Sequence, residues 1–109
     1  MNILELDARQ WKTPADFYNA LLRKLGAPDW HGTSINAFID SMIVGDINEV
    51  TSPLRVVASG LQSAGEPAFD ALTEVFSALA RCGAVAHITS DRASLDIPYG
   101  VYRFLDDQT

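Results

Sequence analysis

Cysteine is nearly absent from the chain: Cys82 is the one thiol in 109 residues. A single thiol excludes an internal disulfide and is typical of proteins that stay in a reducing compartment. Apolar runs are also short, and none approaches the roughly 18 residues that a membrane-spanning helix needs. Residues 1–5 lack a basic region followed by an apolar stretch, so we expect no signal peptide. These absences predict a cytoplasmic protein.

Basic side chains are scarce as well. Eight lysines and arginines stand against 14 acidic residues, which gives a formal net charge of −6. This balance argues against nucleic acid or an anionic membrane as the partner, because both are polyanions, and it is compatible with a basic protein. Hydrophobic residues at 48% and charged residues at 20% indicate a folded chain, whose length fits one domain over residues 1–109.

Signatures of catalysis and of metal binding are missing. The sequence has no phosphate-binding glycine loop and no G-x-S-x-G elbow. His31 and His87 are the two histidines, and neither has a histidine or cysteine neighbour at metal-ligand spacing. Asp40 and Asp46 could meet as paired carboxylates, but no nucleophile or partner acid accompanies them. The sequence therefore predicts no enzyme, no cofactor and no metal.

Strands alternate with helices along the chain. Apolar segments at 3–6, 54–58 and 85–89 predict three strands. Capping residues or prolines predict helix starts at Thr13-Pro14, at Thr33 or Ser34, and at Glu66-Pro67. Such alternation implies right-handed crossovers, so the predicted fold is α/β with a small three-stranded parallel sheet packed by helices. Residues 99–105 alternate enough to add a C-terminal edge strand.

One region stands out by its charge. Residues 25–54 contain no lysine or arginine but hold four acids, Asp29, Asp40, Asp46 and Glu49. Trp30 lies there in a predicted loop, outside any helical stripe. The following helix has its apolar stripe at Ile35, Phe38, Ile39 and Met42. With that stripe turned inward, Asn36 and Asp40 lie one turn apart on the outward side.

Two interpretations of this region remain open from the pattern alone. The first is a solvated face beside a core tryptophan, because large aromatic side chains are usually mostly buried. The second is a binding surface for a basic protein, because interfaces use aromatic anchors ringed by complementary charge.

Residues 27–42, APDWHGTSINAFIDSM, resemble the signature of the barstar family, intracellular inhibitors of the ribonuclease barnase. The family pattern is proline, an acid, an aromatic pair, glycine, two polar residues, then Leu-Asp-Ala-Leu-Trp-Asp. Residues 11–18 and 25–26 resemble the family's first helix, and residues 75–89 its last helix and strand. The resemblance covers about residues 2–90 and leaves 91–109 as a C-terminal extension. It implies the same α/β fold with three parallel strands.

The resemblance also implies a function, inhibition of a ribonuclease in the manner of an immunity protein. In the family, the second helix and the loop before it enter the nuclease active site, where acids replace RNA phosphates. The loop aromatic matches Trp30 and the central carboxylate matches Asp40. Two further family acids are replaced, by Asn36 and by Ala78. Asp29, Asp46 or Glu49 would then supply charge.

The residues expected to contact the partner are those of the loop and the outward side of the helix: Trp30, His31, Gly32, Thr33, Asn36, Ala37, Asp40 and Asp46. The expected partner is a basic protein, in first place a ribonuclease. The alternative is a non-inhibitory interaction domain of barstar-like fold that binds another basic protein. The sequence predicts neither the target nuclease nor the oligomeric state.

Overall fold

The computed structural model describes residues 1–45 and 47–98. Its elements, in chain order, are β1 Asn2–Asp7, α1 Pro14–Leu25, α2 Ile35–Phe38 continued by a π-helical segment Ile39–Val44, β2 Leu54–Ser59, a 3₁₀ turn Leu61–Ser63, α3 Glu66–Arg81, β3 Val85–Ile88 and β4 Arg92–Ile97. The predicted α/β class is confirmed. Within the described ranges, no helix combines the length and apolar character needed to cross a membrane.

The four strands form one sheet in the order β1-β2-β4-β3. β1 and β2 are parallel, whereas β4 is antiparallel to both of its neighbours. The three predicted strands therefore run in the same direction, but β3 does not adjoin β2. A fourth strand, antiparallel to both of its neighbours, lies between the second and third of them.

The fourth strand is interior, not at an edge, and it is formed by residues 92–97. The predicted edge strand at 99–105 lies outside the described residues. A tight turn explains the arrangement: the backbone N–H of Thr89 donates to the Arg92 carbonyl at 2.8 Å, so the chain reverses directly after β3. So short a connection permits only antiparallel pairing. The strict alternation R-A-S-L-D-I is the sequence signal for this strand, with Ala93, Leu95 and Ile97 buried.

The helices all cover one face of the sheet. Strand residues that point toward them are buried, namely Leu4, Leu6, Leu54, Val56, Ala58, Ala93, Leu95 and Ile97. α1 packs against α3 and β1, and α2 packs against α3. Residues on the alternate positions of the strands face away from the helices and form what we call the open sheet face. The protein thus has two layers, with the core between helices and sheet.

The ends of α1 are fixed by their own residues. The Asp16 carboxylate accepts hydrogen bonds from the backbone N–H groups of Lys12 at 2.7 Å and Thr13 at 3.0 Å. These bonds, that from Lys12 first, hold the pKa of Asp16 below its usual value. At the other end Gly26 adopts φ +64°, and a Cβ there would lie 2.7 Å from the Glu49 Cβ. Only glycine fits this close approach.

The segment after the π helix is tied to the end of α1. The N–H of Glu49 donates to the Gly26 carbonyl at 3.2 Å, and the N–H of Val50 donates to the Leu25 carbonyl at 3.0 Å. These bonds satisfy carbonyls that the end of α1 leaves free. They also hold Glu49 beside the loop that follows α1.

The interior position of β4 makes a prediction about stability. Leu95→Ala should lower the free energy of unfolding by about 2–5 kcal/mol, because Leu95 is fully buried in the core. Ser94→Ala, on the opposite side of the same strand, should change it by about 0.5 kcal/mol or less. Urea unfolding followed by circular dichroism measures both. Equal, small effects would mean that the strand does not belong to the core.

Candidate protein-binding surface

The loop and helix with the predicted contact residues begin with an N-cap. Ser34 has extended backbone, and its Oγ accepts a hydrogen bond from the N–H of Ala37 at 3.1 Å. Of the two predicted caps, Thr33 and Ser34, the structure uses Ser34. Thr33 itself is exposed. A serine cap satisfies one of the free N–H groups at the start of a helix.

The helix changes from α to π after one turn. The Gly45 N–H donates to the Asp40 carbonyl at 3.0 Å, a bond that spans five residues. The wider π turn rotates the side chains that follow Ile39. The predicted apolar stripe is therefore only partly right: Phe38 and Met42 are buried, but Ile35 and Ile39 are half-buried, while Ser41 and Ile43 are buried instead. Insertions of this kind occur frequently at functional sites.

A buried histidine holds the loop onto this helix. His31 is only 8% exposed, its Nε2 lies 2.6 Å from the Ser41 Oγ, and its ring centroid lies 5.3 Å from that of Phe38. Its Nδ1 lies 2.5 Å from the Gly32 carbonyl, which can only accept, so Nδ1 is the donor. We predicted His31 as a partner contact; in the free protein its side chain is buried and holds the loop onto the helix, and its contact with a partner stays a prediction.

A third buried polar side chain extends this cluster. Asn48 Nδ2 lies 3.5 Å from the Ser41 carbonyl, and Asn48 Oδ1 is buried with no hydrogen-bond partner among the described residues. His31, Ser41 and Asn48 are the buried polar residues of the ranges that the structure describes. They join the loop, the π helix and the segment before β2. Sequence reasoning missed Ser41 and Asn48, since a single polar residue gives no sequence signal of its own burial.

Above this cluster lies an exposed aromatic side chain. Trp30 is 74% exposed, which confirms the predicted exposure and excludes the interpretation as a core tryptophan. Asn36 and Asp40 are exposed and four residues apart on the helix, as predicted. Gly32 is exposed, and a Cβ on it would lie 3.6 Å from the Cβ of the half-buried Ala37.

Some of the predicted arrangement stays a prediction. The placement of Trp30 beside Asn36 and Asp40 rests on the loop geometry, and Asp46 lies outside the described residues. Asp29 and Glu49 are exposed on the segments that flank the helix. We call the exposed set Asp29, Trp30, Asn36, Asp40 and Glu49 the acidic surface. An exposed aromatic side chain in a stretch of chain that holds acids but no lysine or arginine is suited to contact with a cationic protein.

The long helix adds no acid at the position where the resemblance implies one. Ala78 on α3 is 4% exposed. A carboxylate at this position would have to be buried or reach past its neighbours to solvent.

Metal binding has no support in the described residues. Over 1–45 and 47–98, no three histidine, cysteine, aspartate or glutamate side chains converge as ligands. Three surface depressions lie over the open sheet face, lined among others by Val57, His87 and Arg92, and no residue of the acidic surface lines any of the three.

Comparison with protein families identifies the class. The family model Barstar (barnase inhibitor) matches residues 1–92. The chain therefore belongs to the barstar family. The match ends at the first residue of β4, so the interior strand lies almost wholly beyond it. Searches of curated proteins and of solved structures gave no match.

The positioning role of His31 can be tested by stability. His31→Ala should lower the free energy of unfolding by about 1–3 kcal/mol, because it leaves the Gly32 carbonyl and the Ser41 hydroxyl without their partner and opens a small cavity. The other histidine provides the control: His87 is exposed, so His87→Ala should cost about 0.5 kcal/mol or less. Chemical unfolding measures both variants. Equal losses of stability would show that His31 does not hold the loop onto the helix.

Proposed function

We propose that this chain is an inhibitor of a ribonuclease, of the immunity type, that covers the nuclease active site with its acidic surface. The supporting observation is Trp30, three-quarters exposed on a loop that a buried histidine holds in place, in a member of the barnase-inhibitor family. An exposed ring of this size offers apolar area that a partner can cover, and tryptophan is enriched at such contacts. A cytoplasmic location is part of the proposal, and the single thiol Cys82 favours it.

The proposed mechanism is occupation of a phosphate site by a carboxylate. A ribonuclease holds the RNA backbone with cationic side chains, and these attract any anion of suitable shape. Asp40 lies in the first turn of the π helix, and the next residue, Ser41, contacts the His31 ring and so fixes the helix to the loop. Trp30 supplies apolar area next to that charge. The net charge of −6 steers the chain toward a basic enzyme.

The acids missing at positions 36 and 78 bear on the choice of nuclease. Fewer carboxylates face the partner than in the family pattern, so the target should offer fewer unpaired cations than barnase, or place them opposite Asp29 and Glu49. The same loss favours the alternative, a non-inhibitory domain that binds another basic protein. The two functions differ in one observable: an inhibitor stops RNA cleavage at a one-to-one ratio with its nuclease.

An RNA-cleavage assay tests the proposal. The chain is titrated into barnase, and into ribonucleases captured with it from lysate and secreted protein, with a fluorogenic RNA as the substrate. We expect cleavage by at least one ribonuclease to fall to zero at stoichiometric inhibitor. Capture of a protein without ribonuclease activity, together with unaffected cleavage throughout, would favour the non-inhibitory function.

Asp40 should dominate the binding energy. Asp40→Ala should weaken the complex by about 2–5 kcal/mol, the range for a desolvated carboxylate that faces several cations, to which the barnase–barstar pair itself belongs. Asp29→Ala and Glu49→Ala remove the same charge nearer the rim and should cost about 1 kcal/mol or less, mainly in the association rate. Titration calorimetry against the cognate nuclease measures all three. Equal, small effects would show that Asp40 is not the central group.

Restoring an acid at the two positions that depart from the family pattern, 36 and 78, should have different effects on stability and on binding. Asn36 is exposed, so Asn36→Asp should leave the fold intact and tighten binding to barnase. Ala78 is buried, so Ala78→Glu should lower the free energy of unfolding by about 2 kcal/mol or more and give no gain in binding. Thermal unfolding and a barnase titration measure both variants. Tighter binding by Ala78→Glu would contradict the burial of that position.

A further inference from the structure

The open sheet face has no covering element among the described residues. All three helices lie on the other side, and the outward strand residues remain exposed or half-buried. Two large apolar side chains are exposed at its opposite edges: Ile3 on β1 at 58% and Val85 on β3 at 49%. Single exposed apolar side chains are common on protein surfaces, so the case for a partner rests on how these two are arranged with the charges between them.

The register of the strands arranges this face in rows. In one row, Ile3 pairs with Arg55, Arg55 pairs with Asp96, and Asp96 pairs with Val85. Arg55 and Asp96 form an ion pair within the chain. From β1 to β3 the row therefore runs apolar, cationic, anionic, apolar.

The next row has a similar asymmetry of charge. Glu5 pairs with Val57, Val57 pairs with Ser94, and Ser94 pairs with His87. The acid stands on the edge strand β1 and the histidine stands on the opposite edge strand β3. In both rows the residues on β1 and β2 therefore differ in charge from those on β4 and β3: the cation of the first row and the acid of the second lie on the β1–β2 side.

We propose that the open sheet face is the interface of a symmetric homodimer. In this dimer the two open sheet faces meet, and the two-fold axis runs parallel to the strands, level with the gap between β2 and β4. The axis places β1 of one subunit over β3 of the other, and each row lies over the same row of the partner. Ile3 then covers the partner's Val85, Glu5 meets the partner's His87, and Arg55 meets the partner's Asp96. Each contact occurs twice, as an isologous interface requires. A surface whose two halves are complementary favours a second copy over an unrelated partner.

The size of the face sets the strength of the dimer. Four strands about 4.8 Å apart and six residues of about 3.3 Å each cover roughly 400 Å² per subunit, or roughly 800 Å² in all. Stable interfaces bury about 1,200–2,000 Å². The dimer should therefore be reversible, with a dissociation constant between about 10 μM and 1 mM. The acidic surface belongs to the helix layer, so both copies of it stay free in the dimer.

A charge swap tests the arrangement. Sedimentation equilibrium of the full chain from about 10 μM to 1 mM should show a mass that rises toward the dimer. His87→Glu puts an acid opposite the partner's Glu5 at both contacts and should weaken the dimer by about tenfold. Glu5→Lys removes the carboxylate that meets the partner's His87 and should weaken the dimer less. The double variant Glu5→Lys with His87→Glu restores opposite charges and should restore the dimer.

Recovery of the dimer in the double variant can only come from contact between residues 5 and 87 of different subunits. Within one chain, Glu5 and His87 lie on opposite edge strands, three strand spacings or about 14 Å apart, too far for a direct pair. Glu74→Lys is the matched control, since it makes the same change of charge on the exposed side of α3 and should leave the dimer unchanged. Circular dichroism checks that each variant folds.

Three results would overturn the proposal. The first is a monomer at every concentration, and the second is a double variant no more dimeric than the single ones. The third is protection of the Glu5 carboxylate from carbodiimide labelling at a low concentration, where the chain is a monomer. Such protection would mean that a segment of the same chain covers the open sheet face. Ribonuclease inhibition by Glu5→Lys should equal that of the unaltered chain, so failure of the dimer and failure of the proposed function are distinguishable.

Discussion

The hydrogen bond between the His31 ring and the Ser41 hydroxyl is the contact on which the acidic surface depends. The same ring packs against Phe38, and its Nδ1 lies 2.5 Å from the Gly32 carbonyl. These contacts fix the loop that carries the exposed Trp30 to the helix that carries Asp40.

The π-helical segment Ile39–Val44 allows the contact between His31 and Ser41. A continuous α-helix from residue 35 would place Ile39 and Met42 on one inward stripe and leave Ser41 at its margin. The wider turn brings Ser41 inward to meet His31, and Asp40 stays outside. The carbonyl of Ser41 is met by Asn48, whose own Oδ1 has no partner within the described ranges.

The sequence predicted most of the fold because its local signals agree. Thr13-Pro14 with Asp16 begins α1, Gly26 ends it, and three apolar segments form strands as expected. The exposure of Trp30 was predictable from the resemblance to the barstar family, whereas the pattern alone left a core tryptophan open. The role of His31 was not, since burial of a loop histidine depends on a hydrogen bond ten residues away. The interior place of β4 was missed as well, because strand order depends on the turn at Thr89 and not on any property of the strand itself.

The most direct test of the account is to locate the nuclease on the chain. Hydrogen exchange of the inhibitor, free and bound to its ribonuclease, reports which amides the partner covers. We expect slower exchange on binding in residues 28–44, which carry Trp30 and Asp40, and unchanged exchange in β3 and β4. Slower exchange in the β3–β4 hairpin with residues 28–44 unaffected would contradict the account, because the nuclease would then bind the open sheet face and not the acidic surface.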